Sequence, residues 1–223
     1  MTEDDRRIAV YTAIFGGYDH LKPQPETPGV EYICFTDDPS LEAPPWTVRV
    51  EPSRYPHPRM AAKHYKLFPH RVLPRHPLTV WIDGSVAIKR PDFPTAFVSH
   101  VNESGMALFP HPERDCIYDE ADVSITMPKY RGLPILEQVA HYRAKGYPPK
   151  NGLWACTVMA RDSSSRRLRG LHRRWMRHNR RWSYQDQISL PFLLWRMGME
   201  PGAFPYNLWQ NEWFDWHHHA SEL

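Results

Sequence analysis

Leu78-Thr79-Val80-Trp81-Ile82-Asp83-Gly84-Ser85 is the stretch that decides how this chain of 223 residues folds. Leu78 to Ile82 is a short apolar run, the pattern of a strand covered on both faces in the middle of a sheet. It ends in a carboxylate, a glycine and a hydroxyl. In open parallel sheets, ligands bind beyond the carboxyl ends of the strands. Asp83 therefore stands where a ligand is expected.

Working backward, a Pro-containing turn, Leu73-Pro74, precedes the strand. Before it the spacing predicts a helix over 58–69, with Pro58 in its first turn. Met60, Ala61, His64, Leu67 and Phe68 form its apolar face, and Arg59, Lys63 and Lys66 a cationic stripe at i, i+4 and i+7. Earlier still, 8–15 reads as a buried strand broken by Gly16-Gly17, and 30–36 as a strand ending in Asp37-Asp38. Val48 and Val50 mark a short third one.

Working forward, 86–88, 106–109 and 153–160 read as strands, and 133–145, 163–178 and 185–197 as helices, the last interrupted by Pro191. Leu136, Val139, Ala140 and Arg143 share one face of the first of these helices. The segment from His111 through Glu120 reads as a polar loop. This alternation predicts an α/β chain. It forms one Rossmann-like domain over 1–223, with a mainly parallel sheet flanked by helices and with flexible tails at 1–7 and 215–223.

Composition narrows the class. Hydrophobic residues make up 41% of the chain, enough for a core, and the net charge is +3. So mild an excess does not imply nucleic-acid binding, but it suits a polyanionic ligand such as a nucleoside diphosphate. Cys34, Cys116 and Cys156 are few, odd in number and far apart, which argues against a disulfide framework or a Cys-type zinc site. Reduced thiols, a polar Met1–Arg7 and no apolar run of spanning length predict a cytoplasmic protein. Phosphate-loop, nucleophile-elbow and His-Glu-x-x-His motifs do not occur.

Several constellations carry chemistry. Asp83 can coordinate Mg²⁺ or Mn²⁺, Gly84 lets a ligand approach the backbone, and Ser85 adds a hydroxyl. By itself Asp-Gly is also a common turn pair. Arg59 and Lys63 can pair with phosphates, although such a stripe is more often a solvated helix face. Asp186 and Gln187 open a helix, where a carboxylate is favoured as a plain cap or as a group facing a sugar. His111, Arg114 and Glu120 lie in a stretch dense in hydrogen-bonding groups, as an acceptor site would be, or as ordinary surface is. Finally, eight arginines between Arg166 and Arg181 form a solvated face or one drawn peripherally to an anionic membrane at its inner side. His217-His218-His219 either completes a metal site or is a short surface tract.

Six ordered motifs carry a family resemblance. They are Val10–Asp19, Cys34-Phe35-Thr36-Asp37, Lys63-His64-Tyr65-Lys66 with Pro69-His70-Arg71, Trp81–Gly84, His111-Pro112 with Arg114–Glu120, and Asp186–Ser189. The chain resembles the glycosyltransferase-like family catalogued as domain of unknown function 616. More distantly it is similar to the retaining GT-A enzymes of glycosyltransferase family 8. The resemblance implies transfer of a sugar, with retention, from a UDP-sugar or other nucleoside-diphosphate sugar to a glycan, a lipid-linked glycan or another hydroxyl acceptor. Trp81–Ser85 takes the place of a metal-binding Asp-x-Asp, with Ser85 where the second acid would be. Asp186 and Gln187 take the place of an Asp-Gln pair beside the transferred sugar. Tyr11, Thr12 and Asp37 lie near the nucleoside, and a C-terminal histidine, His219 among the candidates, joins Asp83 on the metal. A non-catalytic nucleotide-sugar or glycan-binding protein of the same fold is the competing expectation.

Overall fold

The protein is described by a computed structural model over residues 7–217. β1 (Ile8–Ile14), β2 (Val30–Thr36), β3 (Thr47–Val50) and β4 (Leu78–Ile82) are all parallel to one another. Three more strands extend the sheet: β6 (Met106–Pro110), β7 (Trp154–Asp162) and β8 (Gly202–Ala203). The order is β3-β2-β1-β4-β7-β6-β8, with β7 antiparallel to both neighbours. β5 (Val86–Ile88) and β9 (Phe214–Trp216) form a separate antiparallel pair. The expected α/β domain with a mainly parallel sheet is present.

Strand alternation builds a core on each face of the sheet. Tyr11, Phe15, Trp81 and Met159 point to the side covered by four helices, α1 (Pro58–Leu67), α5 (Ile135–Ala144), α6 (Arg166–Arg181) and α7 (Asp186–Met197). Val10, Ile14, Val80 and Val158 point to the other side, where α3 (Phe93–Val98) and the aromatic C-terminal segment pack. Phe93, Phe97, Phe204, Trp213 and Phe214 form edge-to-face contacts there. Two short helices remain, α2 (Pro69–Val72) and α4 (Ile117–Ser124).

Several expectations change. Residues 117–124 form α4 rather than continuing a loop, and Glu120 lies on its buried side. In α5 the buried residues are Ile135, Gln138, Val139 and Tyr142, while Leu136 is exposed. Pro191 does not interrupt α7, which runs unbroken to a left-handed Gly198. The proline stands in the second turn and removes a single intrahelical bond. Asp215 and Trp216, assigned to a flexible tail, pair with Ala87 and Val86 in β9. Aromatic burial around Trp213 and Phe214 is what holds that segment down.

Candidate functional site

The strand order runs outward in opposite directions from β1 and β4, which makes the gap between their carboxyl ends the switch point where ligands bind in such sheets. Phe15 to Asp19 leaves β1 there and Asp83-Gly84-Ser85 leaves β4. The two turns touch: a Cβ added to Gly84 would stand 3.1 Å from the Asp19 carboxylate. Gly16, in the left-handed region, has no room for a side chain either, since its Cβ would lie 2.7 Å from Pro58. Its N–H donates to Asp37 at 2.9 Å. Asp37 thus fastens the glycine turn against the start of α1.

α1 then runs across the gap, and its stripe faces inward. His57 caps it, accepting from the Arg59 N–H at 3.2 Å. Arg59 lies over the Tyr18 ring at 4.3 Å and bonds its hydroxyl. Lys63 pairs with Asp186. Lys66, only 3% exposed, places its ammonium 2.9 Å from Asp186 Oδ2 and 3.3 Å from Asp83 Oδ1. The Trp81 indole N–H donates to the same Asp83 oxygen at 2.6 Å. Both donors engage Oδ1, which leaves Oδ2 for a ligand.

Burial works against charge throughout this cluster, and the pairings decide the outcome. Desolvation would raise the Asp186 carboxyl, but Lys63 and Lys66 outweigh it and hold it below the usual carboxylate range. Desolvation would also lower Lys66, but Asp186 and Asp83 hold it above an ordinary lysine. For Lys63 burial wins, and its pKa is lowered despite Asp186. Beneath them lies Arg161, fully buried, donating to the Lys66 carbonyl and the Tyr11 hydroxyl. Lys63, Lys66 and Arg161 outnumber Asp83 and Asp186, so the cluster has an uncompensated positive charge at the foot of the cleft.

Two cavities meet at this cluster, and Arg59, Lys63, Lys66 and Asp83 line both. The first lies between the β1 and β4 turns, with Phe15, Tyr18, Asp19 and Gly84. The second has Asp186 and Gln187 on one side, His111, Arg114 and Glu120 on another, and Trp209 and Trp216 at its rim. The structure joins the expected acceptor residues to the Asp-Gln pair. Arg114 Nε donates to Glu120 Oε2 at 2.7 Å, while Gln185 and Gln187 donate to Glu120 Oε1 at 2.8 and 3.4 Å. Burial raises the Glu120 pKa even with Arg114 beside it. Burial, with Arg114 adding to it, lowers His111 to about 4, so its Nδ1 is free to accept the Arg114 N–H at 3.0 Å.

Not every expected residue lines these cavities. Tyr11 is fully buried, edge-on to Trp81, and reaches the site only through Arg161 and the Lys66 carbonyl. Thr12 is buried on the opposite face of the sheet, and Ser85 is buried with its carbonyl accepting the His217 N–H at 2.8 Å. Neither hydroxyl finds a partner among the described residues. Asp37 holds the Gly16 turn and lines neither cavity. His219 lies outside the described residues. Sequence reasoning put Lys66 on the cationic stripe but not among the site residues, because its partners Asp83 and Asp186 lie far from it in sequence. It missed Trp209 and Trp216 because nothing local announces that β9 carries the C-terminal segment back to the Ser85 turn. As for a metal, no three His, Cys, Asp or Glu side chains converge among the described residues.

The family model described as TOD1/MUCI70, glycosyltransferase-like domain, matches residues 45–215. The chain belongs to this family. The matched stretch runs from β3 to β9, so it takes in α1, Asp83, the His111–Glu120 segment and Asp186. No curated protein sequence matches the chain. In fold this TOD1/MUCI70 domain is similar to the apo structure of WbbM, a bifunctional glycosyltransferase, with a TM-score of 0.50 and 11% identity. The likeness covers 92% of this chain and 39% of that one. At that identity it is a likeness of fold alone. The chain spans about two fifths of WbbM's length.

Proposed function

We propose that the chain is a glycosyltransferase that moves a sugar from a nucleoside-diphosphate sugar to a hydroxyl of a glycan or other acceptor. One observation carries the reading: Lys66 bridges Asp83 and Asp186 at the wall shared by the two cavities. The first cavity takes the nucleotide and its diphosphate, and the second takes the transferred sugar and the acceptor. The surplus positive charge of the cluster awaits an anion.

In the reaction, the bond from the anomeric carbon to the diphosphate oxygen breaks, and the electron pair leaves with the nucleoside diphosphate. Arg59, Lys63 and Lys66 stabilise that charge from fixed positions in a partly dry site. Asp186, held ionised, faces the positive charge that develops on the sugar ring. The acceptor oxygen forms the new bond, and its proton goes to the departing diphosphate. Asp186 is an unsuitable proton acceptor because Lys63 and Lys66 make it a weak base. Glu120 has the stronger basicity, but both its oxygens are engaged by Arg114, Gln185 and Gln187. Proton transfer on the face the leaving group occupies is the arrangement that retains configuration. A GT-A relationship to family 8 and to the family of unknown function 616 belongs to the same proposal.

Trp209, 44% exposed, stands edge-on to Trp216 with ring centroids 4.8 Å apart at the rim of the second cavity. In our reading this indole is the apolar platform for an acceptor pyranose. We extend the proposal to a Mg²⁺ or Mn²⁺ for which Asp83 Oδ2 would be the chain's carboxylate, the diphosphate and water supplying the remaining oxygens. His217, whose backbone is tied to Ser85, and His219 are the C-terminal histidines proposed to join it. When bound, such an ion would neutralise leaving-group charge.

Titrating UDP- and GDP-sugars, with and without Mn²⁺, tests this reading. Binding accompanied by donor hydrolysis or transfer supports it. Binding without turnover across a broad acceptor panel favours a nucleotide-sugar-binding protein instead.

A further inference from the structure

α6 carries a feature that the site does not use. Its eight arginines are accompanied by no acidic residue within the helix. Leu168, Leu171, Trp175 and Met176 face the core, and Arg166, Arg167, Arg173, Arg174, Arg177, Arg180 and Arg181 are exposed on the opposite face. Among the described residues no carboxylate pairs with any of these seven. The whole chain carries only +3, so the residues outside α6 are net acidic. The chain's excess of positive charge is therefore supplied by α6. Arginines on a helix face ordinarily alternate with acids, which relieves their mutual repulsion. Here, among the described residues, carbonyls relieve it instead: Arg167 donates to Met197 and Gly198 at the end of α7, and Arg174 to Gly170.

Beside the stripe, arginines stand over buried apolar side chains. A groove between α6 and α7 is lined by Arg174, Arg177, Arg181 and Arg196 around Phe192 and Leu193. Guanidinium groups surrounding an apolar floor match lipid headgroups, whose phosphates sit directly above hydrocarbon. We infer that this face of α6 and α7 docks the protein on an anionic lipid bilayer, with headgroup phosphates seated among the groove arginines. A nucleic-acid backbone would match the charge but leaves the apolar floor unused. The hidden side of the same helix reaches the cleft: Asn179, in its last turn, donates to Asp186 Oδ1 at 3.3 Å. Docking would hold the protein by the helix that braces Asp186, and it is independent of what the cleft does.

The test is co-sedimentation of the full chain with vesicles of phosphatidylcholine alone or with 30% phosphatidylglycerol added. Binding is expected only to the anionic vesicles and is expected to fall steeply between 0.1 and 0.5 M salt. Each arginine removed should weaken partitioning roughly fivefold, so Arg174→Gln/Arg177→Gln/Arg181→Gln should lose about 100-fold. The matching triple Lys variant should keep most of the binding, and thermal unfolding would verify that both variants are folded. Three results would each overturn the inference: no binding of the unmodified chain to anionic vesicles at 0.1 M salt, equal binding by the Gln variant, or tighter binding to a duplex RNA than to the vesicles.

Discussion

Lys66 Nζ lies 2.9 Å from Asp186 Oδ2, in a pair whose side chains are both about 4% exposed. The contact joins the cationic helix α1 to the first residue of α7 at the wall that the two cavities share. A buried pair of this kind is costly to break, because the remaining partner keeps its charge without compensation.

Asp186→Asn is therefore expected to lower turnover by roughly 10²- to 10³-fold, the effect of losing one fixed electrostatic group in a catalytic site. Donor affinity should change far less, because Asp83, Arg59 and Lys63 remain. Steady-state kinetics beside calorimetric donor titration separates the two. An Asn variant that turns over at the original rate would remove Asp186 from the chemistry.

Gly16→Ala tests the turn that shapes the first cavity. At φ +61° an alanine is strained, and its Cβ would meet Pro58 at 2.7 Å. The substitution should destabilise the fold by about 1–3 kcal/mol and weaken donor binding together. Gly17→Ala, equally strained but with open space around its Cβ, should show the smaller loss. Urea unfolding of both variants makes the comparison.

Little of this was hidden in the fold-level pattern. β1, β2 and β4, the helix of Arg59 and Lys63, and the Asp83 turn were legible because apolar periodicity and Pro/Gly punctuation are local signals. α3 and α4 escaped because each is short and begins in a Pro-rich or polar stretch. The site was legible only in halves. Asp83, Asp186 and the Arg114–Glu120 group each stood out, but what unites them is tertiary. Lys66 and Arg161 are cations in the interior, a fate that a side chain's type argues against until its partners are known. Tyr11 shows the converse: an aromatic at the right place in a motif turned out to brace Arg161 from within the core.

Acid should destabilise the protein through its histidines. Burial, aided by Arg114, pulls His111 to about 4, burial with neighbouring cations does the same to His178, and burial holds His172 well below an ordinary histidine. Each is neutral when folded but binds a proton near pH 6.5 once unfolded. The unfolded chain therefore holds more protons between pH 6.5 and 4, and stability drops as pH falls, by at most about 1.4 kcal/mol per pH unit for each group. Asp186 acts in the same direction at lower pH, since its folded pKa is depressed and its contribution is lost as pH falls through it. Thermal midpoints measured from pH 7 to pH 4 should decline, and His172→Phe should flatten the decline.

Trp209→Ala should raise the acceptor KM by about tenfold or more, the scale of one aromatic platform. The donor affinity and the rate of donor hydrolysis should hold, because Trp209 lines the second cavity and not the first. Trp209→Phe should recover part of the loss. Equal damage to donor and acceptor constants would mean that the residue supports the cleft as a whole.

The central claim is that the Asp83 turn and the lysines facing it form a nucleotide-sugar site. Calorimetric titration of the unmodified chain and of Asp83→Ala with a panel of nucleoside-diphosphate sugars tests it most directly. The account predicts saturable binding of at least one donor by the unmodified chain and a loss of tenfold or more in the variant. Donor affinity and turnover that survive Asp83→Ala unchanged would contradict it.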